Sequence, residues 1–113
     1  DYKYGGSLAH AINNALTMFP VIESKHKHGE VVAYGLLVML RYDRQDELFT
    51  RLLESYRKLN LPIQLSNLDL SFNDDFYDSV WNHISSSEEL AEAAYTIQKS
   101  ELKESILYLE SLS

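Results

Sequence analysis

Cysteine is absent from this 113-residue chain. That excludes a disulfide framework, a thiolate metal site and a cysteine nucleophile, and it suits a reducing, cytoplasmic setting. Proline occurs twice and glycine four times, and Gly5, Gly6 and Gly29 all lie early, so most of the chain has few backbone breakers. Basic residues are scarce: ten Lys and Arg against seventeen Asp and Glu leave a formal charge of −7. Nucleic acid and anionic membrane both need a basic face, so neither is expected as a partner. The longest apolar run, residues 31–40, is broken by Tyr34 and Gly35. It falls far short of the ~20 residues that cross a bilayer. No charged-then-apolar leader opens the chain. The expectation is a soluble, cytoplasmic protein.

Hydrophobic residues make up 45% of the chain, enough for one core in one domain spanning residues 1–113. Alternating strand patterns are nearly missing and the helical period dominates. The spacing of Leu8, Ile12, Ala15, Leu16 and Phe19 predicts a first helix that starts at Ser7 as N-cap and is ended by Pro20. His10, Asn13, Asn14 and Thr17 fall on its polar face, and residues 23–27 read as a charged loop. A second helix opens near Gly29-Glu30 and runs to about Tyr42, with Glu30 suited to the positive end of its dipole. It is apolar on nearly every side, so it is expected to be the central, buried helix. A third helix spans about residues 46–59, with Leu48, Leu52, Leu53, Tyr56 and Leu59 as its stripe. Pro62 opens a short helix or turn over residues 62–67. A further helix carries Phe76, Val80, Trp81 and Ile84. Ser86 and Glu89 form a capping-box pattern before a segment at residues 88–95. Ser100 caps a last helix with Leu102, Ile106, Leu107, Leu109 and Leu112. The fold class is all-α, a helical bundle.

The chemistry-bearing residues are His10 and His28. A divalent zinc or iron ion accepts imidazole nitrogen, and a catalytic site usually takes three protein ligands and leaves one position open. The two histidines are far apart in sequence, unlike a compact HExxH, so they share a metal only if the first two helices pack together. The connection over residues 20–27 is of a length that helix pairs use. On spacing alone, ordinary polar or structural histidines explain the pattern better. His26, in the charged loop, reads as a surface residue, and His83, beside Trp81 and Ile84, as a histidine at a helix end.

The stretch Ala9-His10-Ala11-Ile12-Asn13-Asn14-Ala15-Leu16-Thr17, followed by His28-Gly29-Glu30-Val31-Val32-Ala33-Tyr34-Gly35, resembles the metal-binding segment of the iron-containing alcohol dehydrogenases, in their glycerol dehydrogenase branch. There an AHAIHNGLT-like helix supplies one metal histidine and an HGE-x-VA-x-G segment supplies the next. Leu59-Asn60-Leu61-Pro62-Ile63 looks like the family's LGLP segment, residues 65–70 like the LxxLGL that follows, and the stretch from Ser100 like its last amphipathic helix. The resemblance covers most of the chain and is specific between Gly5 and Gly35. It implies the C-terminal helical domain of a dehydroquinate synthase-like, iron-containing alcohol dehydrogenase fold, with His10 and His28 as metal ligands.

It further implies a metal-dependent, NAD(P)-linked alcohol or polyol dehydrogenase whose metal, zinc or iron, acts as a Lewis acid on a small alcohol or polyol substrate. Two departures stand out. Where the family's first motif carries a second histidine near the substrate, this chain has Asn13, which cannot relay a proton near neutral pH and is left as a candidate for lining the pocket together with Asn14. The family's third ligand, an aspartate on an earlier helix, has no counterpart here, since Asp1 lies too close to the start. The family's cofactor binds a separate α/β domain with a glycine-rich loop, which is missing from this chain; Gly5-Gly6 reads as a turn into the helix. The expectation is therefore a portion of a larger two-domain enzyme, inactive alone and with no cofactor tightly bound, because two histidines without a third ligand hold zinc or iron weakly. Its exposed apolar surfaces near the first two helices are expected to make it a homo-oligomer. Two other readings stand beside this one: a stand-alone helical interaction module with an acidic surface suited to a basic partner, and a small metal protein using His10, His26 and His28 together.

Overall fold

The apolar periodicity becomes helices that wrap around one of their number. The computed structural model describes residues 2–86 and 97–112, without the side chains of residues 2–7. The helices are α1 (Tyr2–Thr17), α2 (Pro20–Lys25), α3 (His28–Tyr42), α4 (Asp46–Leu59), a 3-10 helix (Leu65–Leu68), α5 (Asp74–Ser85) and α6 (Lys99–Glu110). No strand occurs among the described residues, so the fold is all-α as read from the sequence.

α3 is the hub. It packs on α1, α4 and α6, while α1 also packs on α5 and α2. Val31, Tyr34, Leu37, Val38, Met39 and Leu40 of α3 are buried, as a helix that is apolar nearly all round demands. The exception is Val32, which is exposed. On α1, Leu8, Ala11, Ile12, Ala15 and Leu16 are buried, spaced by threes and fours so that they form one stripe. The approach is tight at Gly35: a Cβ built there would lie 3.1 Å from the Ala9 carbonyl oxygen. Small residues at such a crossing let the two backbones nearly touch.

Polar ties fix the outer elements. The Tyr56 hydroxyl donates to the Ala33 carbonyl at 2.8 Å, holding α4 on α3. The Tyr77 hydroxyl donates to the Lys99 carbonyl at 2.5 Å, joining α5 to the start of α6. The Gln64 amide donates to the carbonyls of Leu109, at 3.1 Å, and Leu112. In return the Glu110 carboxylate accepts from the Leu65 N–H at 2.9 Å. These bonds satisfy carbonyls that the end of a helix leaves open. Phe19 and Phe76 stack with ring centroids 5.2 Å apart and bring α5 to the end of α1.

Several boundaries differ from those read in the sequence. α1 begins at Tyr2; Gly5 and Gly6 lower helix propensity without stopping a helix, so Ser7 is interior and not its cap. α1 ends at Thr17, and Pro20 opens α2 at a first-turn position where its missing N–H costs nothing. Residues 23–25 are therefore helical, and only His26 and Lys27 are loop. On α4 the buried residues are Phe49 and Tyr56, whereas Leu59 is 68% exposed. Leu48, Leu52 and Leu53 pack against the core as partly buried residues, so the expected stripe holds except that Phe49 joins it and Leu59 leaves it. The segment after Pro62 is a 3-10 helix over Leu65–Leu68. α6 starts at Lys99 after Gln98, so Ser100 lies in its first turn. The expected segment at residues 88–95 and the Ser86–Glu89 box fall outside the described residues.

Candidate metal centre

α1 and α3 carry the two histidines of interest, and they are the helices that meet at Gly35. His10 follows Ala9, whose carbonyl forms that contact. His28 is the first residue of α3, about 10 Å along the axis from Gly35 at 1.5 Å per residue. Both histidines are exposed. The condition set by the sequence, that the parent helices pack, is met.

Among the described residues, no group of three or more His, Cys, Asp or Glu side chains could hold a metal ion. Two imidazoles suit zinc or iron in kind, but they are fewer than the three protein ligands of a catalytic site, and the described residues add no third. The described residues also contain no strand, and hence no strand–turn–helix to seat a dinucleotide. Among the described residues two grooves can be named, and neither His10 nor His28 lines them. One, of about 540 Å³, runs between α5 and α6 past Asp74, Tyr77, Asp78 and Lys103. The other, of about 420 Å³, lies beside Glu30, Tyr56, Arg57 and Asn60.

Asn13 is not on an open polar face. It is 3% exposed, and its Oδ1 has no hydrogen-bond partner among the described residues. α1 is covered by α3 on one side and α5 on another, so its buried arc is wider than a single stripe. Asn14 and Thr17 are half-buried, and the Thr17 hydroxyl donates to the Asn14 carbonyl at 2.9 Å.

His26 departs most from expectation. Its ring is 10% exposed, with Nδ1 3.0 Å from Glu30 Oε1 and Nε2 2.9 Å from Asp69 Oδ2. A carboxylate only accepts, so the ring donates from both nitrogens. Burial alone pulls the His26 pKa down, but the hydrogen bonds and charges of Asp69 and Glu30 outweigh it and raise the pKa above the usual histidine value. The same contacts, led by the bond from His26, lower the pKa of Glu30. Both ring nitrogens of His26 face carboxylates, and among the described residues no three such side chains could hold a metal, which speaks against one site joining His10, His26 and His28. The sequence held half of this signal, because His26 and Glu30 are four residues apart. Asp69 gave none, being 43 positions away. His83 is exposed.

No family model matches the chain. Over 65 residues it is 40% identical to hydroxycarboxylate dehydrogenase A of Escherichia coli (strain K12), a stretch covering 58% of this chain and 18% of that protein. Its fold matches that of a crystal structure titled "probable glycerol dehydrogenase" from Sinorhizobium meliloti 1021, with a TM-score of 0.77 at 24% identity over 94% of this chain and 32% of that one. The chain thus spans a third or less of each relative's length. No described helix is long and apolar enough to cross a membrane. In sequence and in helical fold alike, the chain is similar to one part of the iron-containing alcohol dehydrogenase and glycerol dehydrogenase-like proteins.

Proposed function

We propose that this chain is the metal-binding portion of the C-terminal helical domain of a metal-dependent, NAD(P)-linked alcohol or polyol dehydrogenase. His10 and His28 supply two of its metal ligands. The observation that carries the reading is the direct packing of α1 on α3 at Gly35 and Ala9, which brings together the two helices that bear these histidines. The relatives' names support an oxidoreductase.

A divalent zinc or iron ion held there supplies Lewis acidity toward an alcohol oxygen. The chain's own part is to offer two imidazole lone pairs from helices fixed by a common core, so that little ordering is left for the moment of binding. Asn13, three residues from His10, has an unpartnered Oδ1 that suits a hydroxyl donor of a small alcohol or polyol. Its amide holds and orients a hydroxyl but moves no proton near neutral pH. The third ligand and the dinucleotide site belong to polypeptide beyond the described residues, so the chain alone is inactive. Exposed Met18 at the end of α1 and Val32 on α3 support self-association near these helices, which light scattering at high concentration checks.

Titration of the 113-residue chain with Zn²⁺, followed by NMR of the histidine rings, tests the assignment. Broadening or shifts are expected at His10 and His28 and not at His83. His10→Ala and His28→Ala are each expected to weaken binding by about tenfold or more, since even outer-shell losses cost that much. Unchanged affinity in both variants would refute the reading.

A further inference from the structure

We propose that the buried hydroxyl of Tyr34 binds an internal water molecule and shares it with the Glu110 carboxylate, so that the central helix is tied to the end of α6 through solvent held inside the fold. Tyr34 lies midway along α3 and is 1% exposed. Its hydroxyl oxygen is closed off from bulk solvent and has no hydrogen-bond partner among the described residues. The other tyrosines that tie helices together are paired directly. Tyr56 and Tyr77 donate to the carbonyls of Ala33 and Lys99, and Tyr42 accepts from the Gln98 N–H at 2.9 Å. A buried hydroxyl left alone bears the full cost of its lost hydration. Phenylalanine would fill the same space without that cost. In folded proteins such a group is nearly always paired, with protein or with ordered water.

The second partner comes from α6, which packs on α3. The end of α6 is the polar part of this contact. Glu110 Oε2 accepts from the Leu65 N–H at 2.9 Å, and the Gln64 amide covers the carbonyls of Leu109 and Leu112. Leu65 and Leu109, to either side of these bonds, are buried. Burial, and after it the charge of Glu110, holds the Tyr34 pKa well above the usual tyrosine value. The carboxylate is thus near enough to act on the hydroxyl without bonding to it, which is the pattern of a pair bridged by water. The hydroxyl keeps its proton and donates to the water oxygen. The water donates one hydrogen to the carboxylate, which only accepts. A hydroxyl and a carboxylate give an internal water the two polar partners that it needs.

The test is ¹⁷O magnetic relaxation dispersion on the 113-residue chain, which counts water molecules held inside a protein for longer than it tumbles. The parent chain is expected to hold one more such water than Tyr34→Phe, and one more than Glu110→Ala. Tyr56→Phe, which loses a direct bond, is expected to lower Tm and leave the count unchanged. Equal counts in the parent chain and Tyr34→Phe overturn the proposal. A count that falls in Tyr34→Phe but not in Glu110→Ala overturns the sharing with Glu110. A count that falls in Tyr56→Phe as well overturns the assignment to Tyr34, as a general loosening. Thermal unfolding supplies an independent sign. Removing a hydroxyl that holds a water loses a hydrogen bond, so Tyr34→Phe is expected to lower Tm by about 2–5 °C. Removing an unpaired hydroxyl would raise Tm, and a rise overturns the proposal.

Discussion

Replacing each of the two glycines of α3 by alanine should have opposite effects on stability. At Gly29 a Cβ would meet nothing within 4 Å. The substitution therefore adds helix propensity and removes unfolded-state freedom, both favourable. Gly29 lies in the first turn, where only part of the ~1 kcal/mol interior difference applies, so the expected gain is about 0.5 kcal/mol. At Gly35 the same methyl would sit 3.1 Å from the Ala9 carbonyl oxygen and 3.6 Å from Ile12 Cγ2. The oxygen belongs to the backbone of α1, so it moves only if α1 moves, and with it Leu8, Ile12 and Leu16, which are almost wholly buried. Overpacking of this kind costs about 1–3 kcal/mol, against which propensity returns about 1 kcal/mol. The expected net loss is about 1 kcal/mol, roughly 4 °C in Tm for a domain of this size. Urea unfolding followed by far-UV circular dichroism separates the pair by about 1.5 kcal/mol if m is unchanged. Gly35→Ala should also weaken Zn²⁺ binding, because α1 carries His10 and is displaced from the helix that carries His28. If Gly35→Ala stabilises as much as Gly29→Ala, the two helices do not meet at Ala9, and the pairing that supports the metal reading is lost.

Other outcomes follow from single contacts. Asn73 caps α5 by accepting from the Phe76 N–H at 2.7 Å, so Asn73→Ala should cost about 1 kcal/mol in a urea titration. Asn73→Asp should be near neutral there, because the kept acceptor is offset by crowding with Asp74 and Asp75 in the same turn. In alkali, burial raises the Tyr56 pKa to about 12 and moves those of Tyr34 and Tyr77 upward as well. Below pH 10 tyrosine is neutral in both states and this stability is intact; from pH 10 toward 12 the unfolded chain ionises first and stability falls. Tyr56 alone accounts for up to about 2–3 kcal/mol of that fall. Tyr56→Phe should flatten the slope, and an unchanged slope in pH-dependent unfolding would contradict its burial. Asn13 holds a buried, unpartnered amide oxygen, which costs about 1–3 kcal/mol. Asn13→Ala should therefore leave stability within about 1 kcal/mol of the parent, and a loss above about 2 kcal/mol would show that Asn13 serves packing and not a ligand.

Helix identity was legible because burial here follows simple stripes. Asp46–Leu59 emerged as read, since acidic residues open it, basic residues close it and Asn60 ends it in the left-handed conformation. The central place of α3 was legible for a similar reason, as a helix with hardly a polar side has nowhere to go but inward. The differences lie at helix ends. Pro20 is a start and not a stop, because proline is tolerated at the first helical position as well as being a breaker. On α4, Leu48 packs on the core as expected, while Phe49 joins it through neighbours such as Tyr108, whose ring lies 5.9 Å away, and Leu59 at the helix end is exposed.

The candidate site shows where local reading gives out. A motif can name His10 and His28, because a ligand type and its place on a helix are local properties. It cannot say what surrounds them, because that depends on groups joined only by folding. A charged loop is normally solvated, and by that rule His26 belonged in water. The rule fails because folding brings Asp69 to the far side of the ring, and a histidine between two carboxylates gains more from their bonds and charge than burial takes away. Asn13 fails the same test from the opposite direction: its residue type argues for solvent, while two packed neighbours enclose it. In both cases a polar residue is held inside, His26 fully paired and Asn13 with an acceptor to spare. Only the second keeps a buried acceptor without a partner among the described residues, so a test of the proposed substrate contact begins at the Asn13 amide and not at the histidine whose bonds are already made.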